Sequence, residues 1–341
     1  MSKLRPKIVQ LAKMVGGISG VVNKIDENAP EYYSLADILT DEEADVAIAA
    51  GLRKNRTVEY LARKTGKSIE ETQRIADRLA WIGVFRRTYE KEYGQDCYYV
   101  QIYAPGILEM LVNNKELLEA HPEVARAFEE YTRTRIAKLA PMLPDGYGLM
   151  RVAPVESALE GIEGVTDDER ISHYLNKYDR FSVAPCSCRA TRRVLDQGCG
   201  HLEEEMCIQM GKGAEHFIRT GRAREISREE ALEILKRAED NGLVHNLPNI
   251  EEVGDSAAIC NCCGCSCFGL RAGLMFGARD AIRSNYEARI DETKCVACGM
   301  CVENCQANAL KLGQKLCTKA PLAQPEQYKK MSNSLVWGKK D

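Results

Sequence analysis

Cysteines are the residues of this chain whose type and spacing could do chemistry. Nine of its fifteen cysteines lie between positions 260 and 305, in two runs. The second run consists of Cys295, Cys298, Cys301 and Cys305, which gives the spacing C-x2-C-x2-C-x3-C. This spacing places three thiolates on one iron-sulfur cube and sends the fourth to a neighbouring cluster. The run therefore predicts a 4Fe-4S site.

The sequence around this run, residues 286–315, resembles bacterial-type ferredoxins. Residues 288–290 and 309–312 are predicted to form the two short strands that bracket the loop in that family. The family usually carries proline after the fourth cysteine, whereas Gln306 stands here, so the chain direction is less constrained. The resemblance implies a two-cluster, ferredoxin-like iron-sulfur domain, which we place at residues 259–317.

The first run crowds five cysteines into eight residues: Cys260, Cys262, Cys263, Cys265 and Cys267. Five thiolates exceed what one loop can direct at one cube, so we interpret the two runs as exchanging ligands. One predicted cluster takes Cys295, Cys298, Cys301 and Cys267, and the other takes Cys260, Cys263, Cys265 and Cys305. Cys262 is then spare, although exchanging it with a neighbour is equally consistent. The alternatives are zinc, which accepts four thiolates, and a substrate-binding cluster with an open iron.

Four further cysteines, Cys186, Cys188, Cys199 and Cys207, predict a third metal site. We expect Cys186 and Cys188 to point the same way along an extended backbone, with the other two closing a tetrahedron. A third 4Fe-4S cluster is the prediction, with zinc as the alternative. His201 is a further candidate ligand, although a loop histidine is more often hydrogen-bonded.

Arginines are frequent near this third site. They are Arg189, Arg192, Arg193, Arg219, Arg222 and Arg224. Positive charge and hydrogen bonds to sulfur can raise the reduction potential of an anionic cluster. A solvated basic face is the alternative interpretation.

Composition limits the remaining possibilities. The 341 residues suffice for two or three domains, and 45% apolar residues suffice for packed cores. A formal charge of -3 gives no reason to expect nucleic acid or an anionic membrane as partner. Residues 7–15 are too short and too charged to span a bilayer, so we expect no membrane insertion. An odd number of cysteines without a secretion signal indicates a reducing, cytoplasmic location.

The expected fold class is α+β, a mostly helical multidomain chain. Residues 1–148 are expected to form a helical, winged-helix-like domain, and residues 149–258 an α/β middle domain with the third metal site. The ferredoxin-like domain follows, and residues 318–341 are expected to be a polar tail.

The winged-helix prediction rests on residues 41–104. Asp41–Ala50 and Thr57–Lys64 have helical periodicity, and Ser68 begins a third helix with Glu71 three residues later. Residues 84–90 and 97–103 alternate like paired strands. Between Asp41 and Tyr103 there are 11 Lys plus Arg and 11 Asp plus Glu, so a phosphate-binding face is not expected.

Three segments together extend the resemblance. They are P-C-x-C-R at 185–189, G-L-V-H at 242–245 and I-C-N-C-C-G-C at 259–265. They resemble a family of cytoplasmic 4Fe-4S proteins that join a winged-helix-like N-terminal part to a C-terminal ferredoxin domain. The resemblance implies electron transfer and names no substrate.

The sequence analysis therefore favours an electron-transfer component of an oxidoreductase complex over a stand-alone enzyme. The expected partner is a flavoprotein, a ferredoxin or a dehydrogenase subunit. The alternative is a transcriptional regulator that senses redox state through its clusters. No G-x-G-x-x-G after a strand and no G-x-x-x-x-G-K-[ST] occurs, so a nucleotide site is not expected.

Overall fold

The computed structural model describes residues 4–142, 144, 146, 148, 150–249, 256–277, 280 and 282–313. The chain forms two compact units, Met1–Arg289 and Ile290–Asp341. Cys317 and the predicted tail lie outside the described residues. Within the described ranges, no helix has both the length and the hydropathy that crossing a bilayer requires.

Residues 6–100 form six helices followed by an antiparallel hairpin. Their bounds are α1 Pro6–Val15, α2 Gly17–Val22, α3 Pro30–Ile38, α4 Asp41–Ala50, α5 Val58–Thr65, α6 Ile69–Ile82, β1 Phe85–Glu90 and β2 Gln95–Val100. Polar caps set the helix starts: Thr40 forms a capping box with Glu43, and Ser68 accepts a hydrogen bond from the Glu71 amide. The helices and strands predicted for residues 41–104 are present in the predicted order.

Four more helices follow, and the apolar faces of the first three complete the first core. They are α7 Leu108–Asn113, α8 Lys115–Ala120, α9 Glu123–Tyr131 and α10 Ala137–Leu139. The core they share with the earlier helices encloses the rings of Tyr98, Tyr103 and Phe128. It also takes in Ala190, which lies well beyond the predicted domain boundary at residue 148.

Residues 150–283 contain a sheet of seven described strands with helices between them. In chain order these elements are β3 Met150–Val152, α11 Ile171–Lys177, β4 Phe181–Ala184, α12 Ser187–Val194, β5 Cys207–Gly211, α13 Lys212–Arg219, β6 Arg224–Ile226, α14 Arg228–Asp240, β7 Val244–Pro248, β8 Ser256–Cys262, α15 Phe268–Phe276 and β9 Ile282–Arg283. The strand order is β6-β4-β5-β8-β7-β3-β9, and only β3 and β9 pair in parallel among them. The sheet therefore has two cysteine-bearing strands, β5 and β8, side by side near its centre.

Contacts between the helical part and the sheet part hold the first unit together. Phe128 on α9 packs edge-to-face on Phe268 of α15, with ring centroids 5.8 Å apart. Next to it, Glu129 accepts hydrogen bonds from both terminal nitrogens of Arg271, at 2.6 and 2.8 Å. The compact unit therefore runs across the predicted domain boundaries at residues 148 and 258.

In the second unit, residues 290–313 are described and contain the short helix α16, Met300–Asn304. The strands predicted at 288–290 and 309–312 are not formed. Ile290 and Leu312 are 59% and 60% exposed, so these segments bury no apolar face that would hold a strand in place.

Candidate metal centres

The ferredoxin loop is the segment that carries Cys295, Cys298, Cys301 and Cys305. Two residues with positive φ curl it: Ala297 has a φ of 53° and Gly299 a φ of 85°. This left-handed backbone turns the chain sharply between successive cysteines, as three thiolates on one cube require. The first three thiols of the loop are exposed and the Cys305 thiol is half-buried.

The surroundings of the Cys305 thiol show whether the loop is suited to binding a metal. Its Sγ accepts a hydrogen bond from the backbone amide of Ala309 at 3.3 Å. Burial alone would raise the pKa of the Cys305 thiol, but the amides of residues 307–310 outweigh it and lower that pKa. Because the thiolate is the form that binds metal, the loop fits a thiolate-bound cluster.

A second group of thiols lies within the first unit. This inner thiol group consists of Cys186, Cys188, Cys207, Cys260, Cys262 and Cys267. Neighbouring thiols influence one another's ionisation in the order Cys186, Cys188, Cys267, Cys262, Cys260 and Cys207. The Cys186 thiol also interacts electrostatically with that of Cys262, so Cys186, Cys188, Cys267 and Cys262 form a ring of neighbouring thiols.

The sheet and two helices bring these thiols together. Cys260 and Cys262 are two residues apart on β8 and so share one face of the sheet, and Cys207 on β5 lies directly opposite Cys260. Cys186 is the N-cap residue of α12, and Cys267 is the N-cap residue of α15. Five of the six thiols thus come from two adjacent strands and two helix starts.

Both helices present their N-terminal amides to the sulfur atoms. The Phe268 amide donates a hydrogen bond to the Sγ of Cys188 at 3.4 Å. Free amide donors and the positive end of the helix dipole both stabilise thiolates at such a position. The sequence predicted an extended backbone through Cys186 and Cys188, whereas Cys188 lies in the first turn of α12.

The Cys186 and Cys262 thiols both have a raised pKa. For Cys186 the main cause of the increase is the interaction with the Cys188 thiol, followed by burial; for Cys262 it is the interaction with the Cys260 thiol, again with burial. Six neighbouring thiols cannot all ionise together unless positive charge compensates them. A bound metal centre would supply that charge, and an all-thiolate donor set suits zinc as well as iron and sulfide.

Two buried arginines place positive charge close to the thiols. Arg189, 3% exposed, donates from Nη1 to the Sγ of Cys263 at 3.6 Å and from Nη2 to the carbonyl of Asn261 at 3.0 Å. Burial alone would lower the pKa of the Arg189 guanidinium, but Cys186 and Cys263 raise it overall. Arg271, 5% exposed, interacts electrostatically with Cys188 and Cys267 while Glu129 holds it.

Arg271 was missed by the sequence analysis, although its position four residues after Cys267 is the spacing of neighbours on one helix face. Among the other arginines expected at this site, Arg219 pairs with Asp96 and Arg224 with Glu205, whereas Arg222 donates to the carbonyl of Trp81. Arg192 contacts Glu129, and Arg193 pairs with Glu203.

Three more cysteines form an outer thiol group: Cys199, Cys263 and Cys265. Their sulfur atoms all lie within 4.8 Å of one another, and those of Cys199 and Cys263 are 3.8 Å apart. Cys263 is buried and Cys265 is exposed, so the group extends from the interior to the surface. His201, the candidate ligand from the sequence, instead has its Nδ1 3.2 Å from the Oδ1 of Asn241.

The structure therefore groups the cysteines differently from the sequence prediction. Cys186, Cys188 and Cys207 lie with Cys260, Cys262 and Cys267, whereas Cys199 lies with Cys263 and Cys265. The pairing of β5 with β8 accounts for this, because it brings residues 45 to 53 positions apart in sequence side by side. This grouping gives Cys263, Cys265 and Cys267 thiol neighbours within the first unit, which is an alternative to the predicted exchange of ligands with the ferredoxin loop.

Cys97 lies apart from these groups. It is fully buried in β2, and burial raises the pKa of its thiol to about 11. This is the environment of an ordinary core cysteine.

Comparison with known proteins identifies one segment. A family model described as a 4Fe-4S binding domain matches residues 288–311, which include the whole ferredoxin loop. No curated protein and no solved structure gives a significant match. The chain thus carries a 4Fe-4S binding segment, for which iron-sulfur electron transfer is the general function.

Proposed function

We propose that this chain is an electron-transfer protein that relays single electrons between a flavoprotein or ferredoxin and a partner oxidoreductase. The ferredoxin loop carries the proposal, because its four cysteines have cluster spacing and lie inside the matched segment. A bound 4Fe-4S cluster supplies reversible one-electron chemistry. The chain's own residues supply the thiolates, and the amides of residues 307–310 stabilise the last of them.

The proposal includes a second 4Fe-4S cluster in the first unit, held by the ring of Cys186, Cys188, Cys262 and Cys267. Two helix starts and two buried arginines direct positive charge at these thiols, which favours an anionic centre there. Cys207 and Cys260 continue the thiol series along the sheet and are further candidate ligands of this site.

The redox partner is proposed to dock at the ferredoxin loop. Val296 and Met300, which flank cysteines of this loop, are 83% and 66% exposed. Exposed apolar side chains beside a redox centre suit a transient protein interface. Because the sequence has no recognisable nicotinamide or nucleotide-triphosphate motif, the partner is expected to convert hydride into single electrons. We place the exchange in the cytoplasm, where thiols stay reduced.

Residues 41–104 are proposed to form a winged helix that docks on protein rather than on DNA. The order of three helices and a hairpin supports the winged helix. The protein surface that the hairpin contacts is the chain's own α13, where the Arg87 amide donates to Nδ1 of His216 and Lys212 pairs with Glu90. Cations on the hairpin and on α6 also have acidic partners, as in the pairs of Arg87 with Asp77 and Asp96 and of Arg78 with Glu43.

The redox-sensing regulator is the less favoured function, because these pairs leave little unbalanced positive charge to bind phosphates. Gel-shift assays on genomic DNA fragments separate the two functions. The electron-transfer proposal predicts no specific shift in either redox state. A sequence-specific shift that changes when the clusters are oxidised would support the regulator instead.

Anaerobic EPR of the dithionite-reduced protein tests the proposal directly. We expect signals from two reduced clusters, and we expect reduced ferredoxin or a reduced flavoprotein to generate the same signals. A protein that stays EPR-silent with dithionite, or that is reduced only by dithionite and reoxidised by no protein acceptor, would contradict electron transfer.

A further inference from the structure

The outer thiol group has the spacing of a site for one metal ion. With zinc-sulfur bonds of about 2.3 Å in tetrahedral geometry, two sulfurs on the same ion lie roughly 3.8 Å apart. The sulfurs of Cys199 and Cys263 are 3.8 Å apart, and Cys265 completes a triangle within 4.8 Å. In a 4Fe-4S cube each thiolate binds a different iron, which holds the sulfurs farther apart. The observed triangle is therefore the donor set of a single ion.

A tight turn separates this group from the inner thiols. After β8 ends at Cys262, the amides of Ser266 and Cys267 both donate to the carbonyl of Cys263. The turn directs Cys263 and Cys265 towards Cys199, while Cys262 and Cys267 remain in the inner group. Adjacent cysteines in the sequence thus serve two different sites.

Charge also fits a single divalent ion. Three thiolates and one divalent ion carry a net charge of about -1. The buried guanidinium of Arg189 donates to Cys263, and the Ser266 hydroxyl donates to the Sγ of Cys199 at 3.4 Å. Both contacts stabilise negative charge on the sulfur atoms they touch.

Only three ligands converge on this site among the residues that the structure describes. His201 is engaged with Asn241, and the exposed Cys265 leaves the outer side accessible to solvent. A reactive zinc site has three protein ligands and a fourth position that faces solvent, whereas a structural zinc site has four protein ligands.

We propose that Cys199, Cys263 and Cys265 bind one zinc ion whose fourth position takes water or a small thiol. When a thiol binds, the zinc-water bond is replaced by a zinc-sulfur bond, and the thiol proton passes to solvent as the sulfur becomes a thiolate. No electron is transferred in this step, so the site is independent of the iron-sulfur chemistry proposed above.

Metal analysis of the full-length protein, purified anaerobically without added thiol, tests the site. We expect about one zinc per chain in addition to iron. Cys265→Ser and Cys199→Ser should each lose most of the zinc and keep the iron, while the control Cys97→Ser should keep both. Zinc-free wild-type protein, or iron lost in place of zinc from the Cys265→Ser variant, would overturn the proposal.

X-ray absorption at the zinc edge tests the open position without any variant. We expect three sulfur neighbours and one lighter atom in the isolated protein, and four sulfurs after addition of 2-mercaptoethanol. Four sulfurs before the addition, or no change after it, would rule out the open position. Because iron content and zinc content are measured separately, failure of this site and failure of the electron-transfer proposal remain distinguishable.

Discussion

Arg189 donates a hydrogen bond to the sulfur of Cys263 while its other terminal nitrogen holds the carbonyl of Asn261, and the whole side chain is buried. This cation therefore lies at the junction of the inner and outer thiol groups, with Cys186 as a further electrostatic neighbour. A fixed positive charge favours the reduced, more negative state of a cluster.

Replacing Arg189 should lower the reduction potential of the cluster proposed for the inner thiol group. Arg189→Gln removes the charge, and Arg189→Lys restores most of it without the second hydrogen bond. Arg193→Gln is the matched control on the same helix, because Arg193 pairs with Glu203. Potentiometric EPR titration measures the shift; an unchanged or higher potential in Arg189→Gln would contradict the assigned role.

Glu129 should be one of the most sensitive positions for stability. It is buried on α9 and accepts hydrogen bonds from Arg271, Arg133 and Arg192. Removing its charge leaves buried cations without compensation, so we expect Glu129→Gln to lower the free energy of unfolding by about 3–5 kcal/mol. Anaerobic denaturant unfolding provides the measurement.

Glu123→Gln is the control for that variant. Glu123 is on the same helix, and its ion pair with Arg126 is about half-exposed on both sides. We expect a change of at most about 1 kcal/mol. Similar losses of stability in the two variants would contradict a large contribution of the buried ion pairs of Glu129 to the stability of the first unit.

His216 should make stability depend on pH below neutrality. It is 1% exposed, and burial, followed by the charges of Arg222 and Arg86, lowers its pKa well below the ordinary value. The unfolded chain takes up a proton near pH 6.5 while the folded chain does not, so stability is lost as the pH falls below about 6.5. The slope from this residue should approach about 1.4 kcal/mol per pH unit.

Unfolding measured between pH 7 and pH 5 tests this effect. The His216→Asn variant is expected to be less stable at pH 7, because the Arg87 amide loses its ring acceptor, but to have a flatter pH dependence. His173→Asn, on a half-buried surface, should keep the wild-type slope. An unchanged slope in His216→Asn would mean that another group is responsible.

Local sequence signals predicted the helical part well. Residues 41–50 begin after a threonine cap and carry helical periodicity, and the helix there has the predicted bounds. Ser68 likewise marks the start of α6. These features depend on contacts within four residues, which a single sequence contains.

The grouping of the thiols could not be predicted in this way. Cys199 reaches Cys263 only because β5 pairs with β8, and strand order is a non-local property. The salt bridge between Glu129 and Arg271 also joins residues that are 142 positions apart. Spacing alone was informative where the cysteines follow one another in a single loop, as in the ferredoxin loop.

Iron and sulfide analysis of the variant in which Cys295, Cys298, Cys301 and Cys305 are all serine is the most direct test of the central claim, that the chain binds clusters at two places. These residues are exposed or half-buried, so the first unit should fold normally. We predict about eight irons and eight sulfides per chain in the anaerobic wild-type protein, and about four of each in the variant. A variant that is free of iron, or a wild-type protein with only about four irons, would contradict the account.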